Sequence, residues 1–200
     1  MPPKRTQSTL SFASANKKAK TSSSSSSPNL NLKIITWNVN GIRAFRDRYS
    51  EKKTSVQFQT LFQEEQPDVV CFQETKIDES KVDDYKNLLG PEYPYAHFNC
   101  CSVKKGYAGT ATFSKEQPLS VRIDFPLNTE GRVLVTEFNS CIVVNTYVPN
   151  SGMKLERLKY RTTTWDVGKR KEFYIKADYS LSPILLYPFV QTFDRPLTNL

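Results

Sequence analysis

The sequence predicts an α/β fold, and three observations carry that expectation. Leu32–Val39 and Val69–Phe72 are short apolar runs with the β-branched and aromatic content of buried strands. Between them a helical pattern over about Thr54–Glu65 has Val56, Phe58, Leu61 and Phe62 as most of its apolar face and is closed by Gln66-Pro67. Strand, helix and strand make one βαβ unit with parallel strands. Further on the pattern changes to antiparallel strands at Gly109–Ser114, Leu119–Asp124, Arg132–Phe138 and Cys141–Val148. Parallel and antiparallel strands together imply a mixed sheet arrangement in one α/β domain.

Taken in order, Asn40-Gly41 supplies the turn after the first strand, and a second short helix is expected near Ser80–Leu89. From Met153 a basic helix is expected to run to about Phe173 with Leu155, Leu158 and Trp165 on its apolar side, weakened by Thr162–Thr164 and Gly168. Residues 174–200 include Ile184, Leu185, Leu186, Pro188 and Phe189 without clear periodicity, and no repeats are visible. The division is therefore a tail over 1–30, a domain over 31–173 and a distinct C-terminal segment over 174–200.

Two hundred residues, 38% apolar and 12% aromatic, suffice for one hydrophobic core. Residues 1–30 are rich in Ser, Lys and Pro and cannot bury enough apolar area to offset chain entropy, so they are expected to be disordered. Of the net charge of +8, five positive charges sit at Lys4, Arg5, Lys17, Lys18 and Lys20 with no acid nearby, which leaves +3 for the body. The two basic clusters and their spacer look like a bipartite nuclear-import signal, which implies an import receptor as partner and a nuclear location. Gln7–Phe12 partly resembles a segment that docks on replication sliding clamps, with its aromatic one residue early. A basic chain favours a nucleic-acid partner, because Lys and Arg release counterions from phosphates.

Cys71 and Cys141 lie inside apolar runs and Cys100-Cys101 are adjacent, so no disulfide framework is legible and a reducing compartment is expected. His97 is the only histidine, which rules out zinc spacing. No apolar run of about 18 residues is present, so no membrane partner is expected.

Chemistry concentrates at strand ends. Glu74 follows one parallel strand while Asn38 and Asn40 end its neighbour, an all-oxygen set suited to Mg²⁺ or Mn²⁺. On these residues alone, turn caps and a Glu74–Lys76 ion pair are the plainer reading. Arg43 and Lys76 stand just past the strand ends, where cations would meet a phosphate backbone. Lys104-Lys105-Gly106-Tyr107-Ala108-Gly109 is a basic loop with an aromatic between glycines, able to approach a backbone closely, or else a plain hairpin turn. Tyr147 ends a strand that Pro149 terminates, so its hydroxyl can project toward the edge that carries Glu74.

Three strings, Trp37–Arg43, Gln73-Glu74-Thr75-Lys76 and Tyr147-Val148-Pro149-Asn150, occur in an order that resembles the exonuclease III branch of the endonuclease/exonuclease/phosphatase superfamily. That branch includes the apurinic/apyrimidinic (AP) endonucleases. The resemblance spans about Leu32–Asp166. It implies a four-layer α/β sandwich and a metal-dependent DNA phosphodiesterase that cuts 5′ to abasic sites in base-excision repair, with 3′–5′ exonuclease activity as a further expectation. Duplex DNA with abasic sites is the implied partner. By resemblance, Glu74 binds the metal, Asn38 lies in the site, Asn40 stands near the metal, Tyr147 contacts the scissile phosphate and Asn150 helps organise the site. Arg43, Lys76, the 104–107 loop and Arg157 would face DNA. Glu130-Gly131-Arg132-Val133 also matches and reads as a turn into a buried strand. Met153 departs from the arginine that many relatives place there. Inositol-phosphate phosphatases and sphingomyelinases share the Asn and Glu ends, but the Gly41-Ile42-Arg43 and Tyr147–Asn150 contexts favour exonuclease III.

Two motifs of that branch, Gly-Asp-x-Asn and a late Ser-Asp-His, occur nowhere in the 200 residues. The expectation is a truncated sandwich lacking most of its second sheet. A frameshift, a retained intron, a mis-predicted gene end or a short isoform would each read this way. The competing function is then an inert fragment with residual DNA or partner binding.

Overall fold

The structure is a computed structural model, and it describes residues 32–50, 62, 64–123, 129–168 and 184–188. The tail, the import clusters Lys4, Arg5, Lys17, Lys18 and Lys20, the Gln7–Phe12 segment and most of the helix expected at 54–65 lie outside these residues.

Two four-stranded sheets pack face to face. The first orders its strands β1 (Ile34–Asn38), β2 (Val69–Gln73), β4 (Thr110–Ser114) and β3 (Tyr95–Asn99). The second orders β5 (Ser120–Arg122), β6 (Val133–Glu137), β7 (Ile142–Thr146) and β8 (Ile184–Pro188). Strand β1 runs parallel to β2, and β8 parallel to β7; the remaining pairs are antiparallel. The mixed α/β character read from the sequence is what forms.

Alternation along each strand explains the layers. Val70 and Phe72 of β2, with Ala111 and Phe113 of β4, face outward onto a cluster containing Ile42, Phe45, Phe62, Tyr85 and Tyr93. Trp37 packs on that cluster edge-on to Phe45, with ring centroids 5.9 Å apart. The opposite face of β2, Val69 and Cys71, meets Phe138, Cys141 and Val143 between the sheets. Beyond the second sheet, Val133, Val135 and Val144 bury Trp165. Helical layer, sheet, sheet and helical layer make the four-layer sandwich that the family resemblance implied.

The space between the sheets is unusually polar. Thr110, Thr112, Ser114, Gln73 and Asn145 are all buried there. The Asn145 amide donates to Phe72 O at 3.2 Å, Ala111 O at 2.8 Å and Thr112 Oγ1 at 3.3 Å, and its Oδ1 accepts from Gln73 Nε2 at 2.8 Å. These bonds offset the desolvation penalty of burying Asn145, whereas Gln73 Oε1 in the same layer is buried without a hydrogen-bond partner.

Several expected elements are corrected. A helix α1 (Ile42–Ser50) begins directly after Asn40-Gly41, where only a turn was expected. Its apolar signal is confined to Ile42 and Phe45 among three arginines, too sparse to register as a stripe. Strand β3 is an addition to the expected elements: Ala96 and Phe98 pack on the outer cluster while Tyr95, His97 and Asn99 take the opposite face, but two apolar residues directly after Pro94 are too short a signal to register. The element near Ser80 is a 3-10 helix over Glu79–Tyr85, capped by Asp78, whose side chain accepts from Ser80 N. The basic helix does not start at Met153: turns occupy that stretch, and a π-type helix spans Tyr160–Trp165. Consequently Leu155 and Leu158 are exposed and only Trp165 is buried. The second sheet forms with four strands, β5–β8. Strand β8 falls in the segment that gave no periodicity: Ile184, Leu185 and Leu186 are consecutive apolar residues, so the run shows no alternation to read.

The four cysteines are free. Burial pushes the Cys71 thiol up to about 12, so it is an inert core group. Among the described residues, no helix is long and apolar enough to cross a membrane.

Asn145→Ala would leave Gln73 and two β-strand carbonyls without their buried partner. A loss of about 2–4 kcal/mol in urea denaturation is expected, with an unchanged m-value. A loss below about 0.5 kcal/mol would mean that the bridge does not hold the sheets together.

Candidate functional site

The parallel ladder between β1 and β2 continues past both strands. Val39 N donates to Gln73 O at 3.0 Å, Gly41 N to Glu74 O at 2.7 Å and Ile42 N to Thr75 O at 2.9 Å. On the other side Thr75 N donates to Gly109 O at 3.2 Å and Lys76 N to Ala108 O at 2.9 Å. Three loops are thereby stitched into one platform. Gly109 fits only because it has no side chain: a Cβ there would collide with Thr75 Oγ1.

Asn40, Glu74, Lys76 and Ala108 all hold left-handed backbone, with φ of 49°, 54°, 52° and 47°. Such conformations cost about 1–3 kcal/mol each at non-glycine residues and persist where surrounding structure enforces them. Here the stitched ladder enforces them, and the result aims Glu74 and Lys76 at each other.

Around Glu74 the polar groups close into one cluster. Asn38 Nδ2 donates to Glu74 Oε1 at 2.7 Å, while Asn38 Oδ1 accepts from Asn40 N at 3.0 Å. Lys76 Nζ lies 2.9 Å from Glu74 Oε2 and donates to Asn40 Oδ1 at 2.5 Å. Tyr147 faces the same carboxylate closely enough to influence its protonation. Burial would raise the Glu74 pKa, but hydrogen bonds from Asn38, Lys76 and Tyr147, with the Lys76 charge, outweigh it and hold the group below its ordinary 4.5. Burial and the Glu74 carboxylate push the Tyr147 phenol well above its ordinary value, against the opposing pull of Arg132. At neutral pH the pair is a carboxylate beside a protonated phenol.

The donor set suits a hard divalent cation. The Lys76 ammonium bridges Glu74 Oε2 and Asn40 Oδ1, so a positive charge already has its place between two oxygens. Among the described residues no group of three or more His, Cys, Asp or Glu side chains is placed to hold a metal. A single carboxylate with amide oxygens fits Mg²⁺, which keeps several of its waters, better than a metal that needs an all-protein cage.

The other sequence-derived residues sort by position. Lys104 and Lys105 are exposed; Lys104 Nζ stands 5.4 Å from the centroid of the Tyr107 ring, and Lys105 pairs with Asp78 at 3.3 Å. Gly106 turns the loop with φ of 68°. Arg43 is exposed in the first turn of α1. Arg157 approaches Glu130 at 3.9 Å and covers the Tyr160 ring. Asn150 is exposed and its Oδ1 accepts from Gly152 N at 2.8 Å, so it shapes its loop and does not join the Glu74 cluster. One residue read only as structural belongs with the site: Arg132 is buried against both Tyr107 and Tyr147. The signal available in the sequence was an arginine immediately before a buried strand, which needs a specific partner to be tolerated.

The fold and this edge together define a class. The family described as the endonuclease/exonuclease/phosphatase family matches residues 35–179, beyond Asp166, and the chain belongs to that family, in its exonuclease III/AP endonuclease branch. An exodeoxyribonuclease of Bacillus subtilis is 41% identical over 133 residues, which are 65% of this chain and 48% of that protein. The DNA repair nuclease APEX1 of Danio rerio is 38% identical over 144 residues, covering 70% of this chain and 43% of that one. The crystal structure of an AP endonuclease from Leishmania major superposes with a TM-score of 0.55 at 33% identity, over 70% of this chain and 47% of that one. This chain thus spans roughly half of each or less.

Because the folded-state pKa of Glu74 is depressed, its contribution to stability is present above the ordinary carboxylate range and is lost as pH falls through the lower folded value. Carboxyl-detected NMR should place its midpoint below 4.5. Lys76→Met, which removes a hydrogen bond and a charge, should move it upward. A midpoint at or above the ordinary value in the parent chain would contradict this electrostatic assignment.

Proposed function

We propose that this chain carries the cation- and phosphate-binding edge of a DNA phosphodiesterase of the AP-endonuclease type, acting on abasic duplex DNA in base-excision repair. The convergence of Glu74, Asn38, Asn40 and Tyr147 at one sheet edge, rimmed by Lys76 and the Lys104–Tyr107 loop, is the observation that carries the reading.

Mg²⁺ or Mn²⁺, held by Glu74 with Asn40 beside it, would supply charge stabilisation at a non-bridging phosphate oxygen. Asn38 orients the carboxylate for that purpose through its 2.7 Å hydrogen bond. Tyr147, kept protonated by its surroundings, is a hydrogen-bond donor toward a phosphate. Arg43, Lys104, Lys105 and Arg157 would neutralise flanking phosphates, with Gly106 and Tyr107 seated in a groove and Asn150 shaping the adjacent loop.

Water activation and leaving-group support are further requirements, each contributing orders of magnitude in rate. The 200 residues hold neither Gly-Asp-x-Asn nor Ser-Asp-His. The chain by itself is therefore proposed to bind duplex DNA without turning it over, and incision is proposed for a protein that joins this edge to those motifs.

Two measurements test this. In a protein carrying both motifs, Glu74→Gln should slow nicking of an abasic duplex by about 100-fold or more, and EDTA should abolish it. Full activity in EDTA, or an undiminished Glu74→Gln enzyme, would remove the assignment. For the 200-residue chain, no specific incision is expected. Its duplex binding should fall with salt, and Lys104→Ala with Lys105→Ala should lower the log–log salt slope by about 2. Incision by this chain that Glu74→Gln abolishes would show that the two motifs are dispensable.

The proposed location is the nucleus, on the strength of Lys4-Arg5 and Lys17-Lys18-Ala19-Lys20 read by an import receptor, with Gln7–Phe12 as a weak sliding-clamp contact. Replacing Lys17, Lys18 and Lys20 by Ala should leave a large fluorescent fusion in the cytoplasm. Unchanged nuclear accumulation would overturn the import reading.

A further inference from the structure

We infer that Arg132 is a positioning residue whose guanidinium locks Tyr107 of the basic loop and Tyr147 of the Glu74 cluster into one rigid unit. The inference rests on the DNA-binding reading of that edge and adds how its two halves are held in register.

The Arg132 side chain is only 2% exposed. Its Nε lies 2.5 Å from Glu130 Oε2, Nη1 donates to the Tyr147 carbonyl at 3.3 Å, and Nη2 donates to Tyr107 OH at 3.0 Å. The guanidinium carbon stands 4.5 Å from the Tyr147 ring centroid and 5.5 Å from that of Tyr107. A buried cation requires a counter-charge, and Glu130 alone would meet that need. The fork does more: it reaches oxygens on three separate segments and lies against two aromatic rings, a geometry that only a planar guanidinium provides.

Its backbone is equally fixed. Arg132 O accepts from Tyr147 N at 2.8 Å, and at the preceding Gly131 a Cβ would sit 2.5 Å from Asn99 O and 2.7 Å from the Cys100 carbonyl carbon. The arginine therefore cannot shift without moving β3 and β7. The contacts therefore run from the exposed loop through Arg132 to Tyr147, at the edge that carries Glu74.

The test uses the full chain and three variants: Tyr107→Phe, Arg132→Lys and the combination. Lysine keeps the charge opposite Glu130 but cannot bridge both tyrosines. One readout is amide hydrogen exchange over residues 102–109, and the other is affinity for a short duplex with an abasic-site analogue at low salt. Each single variant should speed exchange in that loop about tenfold while leaving β2 and β4 unchanged, and should weaken duplex binding about fivefold. The double variant should be no worse than the poorer single one, because both substitutions break the same contact.

A mere structural ion pair would be rescued by lysine, so parent-like exchange in Arg132→Lys would overturn the inference, as would parent-like exchange in Tyr107→Phe or additive effects. If Arg132→Lys does not fold, Tyr107→Phe decides alone, since it removes one hydroxyl from a half-buried ring. Failure of the parent chain to bind duplex DNA would sink the DNA reading, while the exchange data would still decide the role of Arg132.

Discussion

The hydrogen bond between Gln73 Nε2 and Asn145 Oδ1, 2.8 Å long and closed off from water between the two sheets, fixes how one sheet sits on the other. Apolar contacts between sheets tolerate small slips, because any methyl can rest in a neighbouring hollow. An amide with several buried partners cannot slip without orphaning each of them. The consequence reaches the site by simple counting. Glu74 is the residue after Gln73, and Tyr147 lies two residues after Asn145, on the same side of the chain by strand alternation. Fixing the first pair brings the second together at the edge of the sandwich.

Electrostatics at that edge are arranged in two tiers. The inner tier is one carboxylate held by an amide and an ammonium, with a protonated phenol beside it. The outer tier is cationic and mostly exposed, on loops whose backbones the inner tier's ladder holds in place. Arg132 lies between them, buried, its charge balanced by Glu130, which also faces Arg157. A polyanion meeting the rim would encounter cations at several points, while the negative charge of Glu74 is shielded beneath Lys76. That separation allows a phosphate chain to approach a carboxylate that would otherwise repel it.

Much of this was legible in the residue string, and the exceptions have physical causes. The β1/β2 pair and the antiparallel strands β4, β6 and β7 carry strong β-branched content, so their existence and order followed from pattern alone. Helix α1 did not, since its burial depends on just Ile42 and Phe45 fitting a cluster built by distant residues. Strand β3 was hidden because its partner, β4, supplies the burial that its own sequence does not advertise. In the site, the grouping of Asn38, Asn40, Glu74 and Tyr147 was legible from strand-end positions together with family resemblance. The fork of Arg132 was not, because no spacing rule links residue 132 to 107 and 147; only the packing of three loops does. Nor does the sequence reveal that Asn150 is engaged in its own turn, away from Glu74.

The placement of the two tryptophans carries a practical meaning. Trp37 lies edge-on to Phe45 in the layer outside the first sheet, and Trp165 is buried against the valines outside the second. Each indole therefore belongs to a different outer layer, with both sheets between them. Their emission forms a pair of internal reporters, one for each half of the sandwich. Coincident loss of the two signals would identify a single cooperative unit. Separate transitions would instead reveal that the halves can melt independently, with the buried amide between them as the seam.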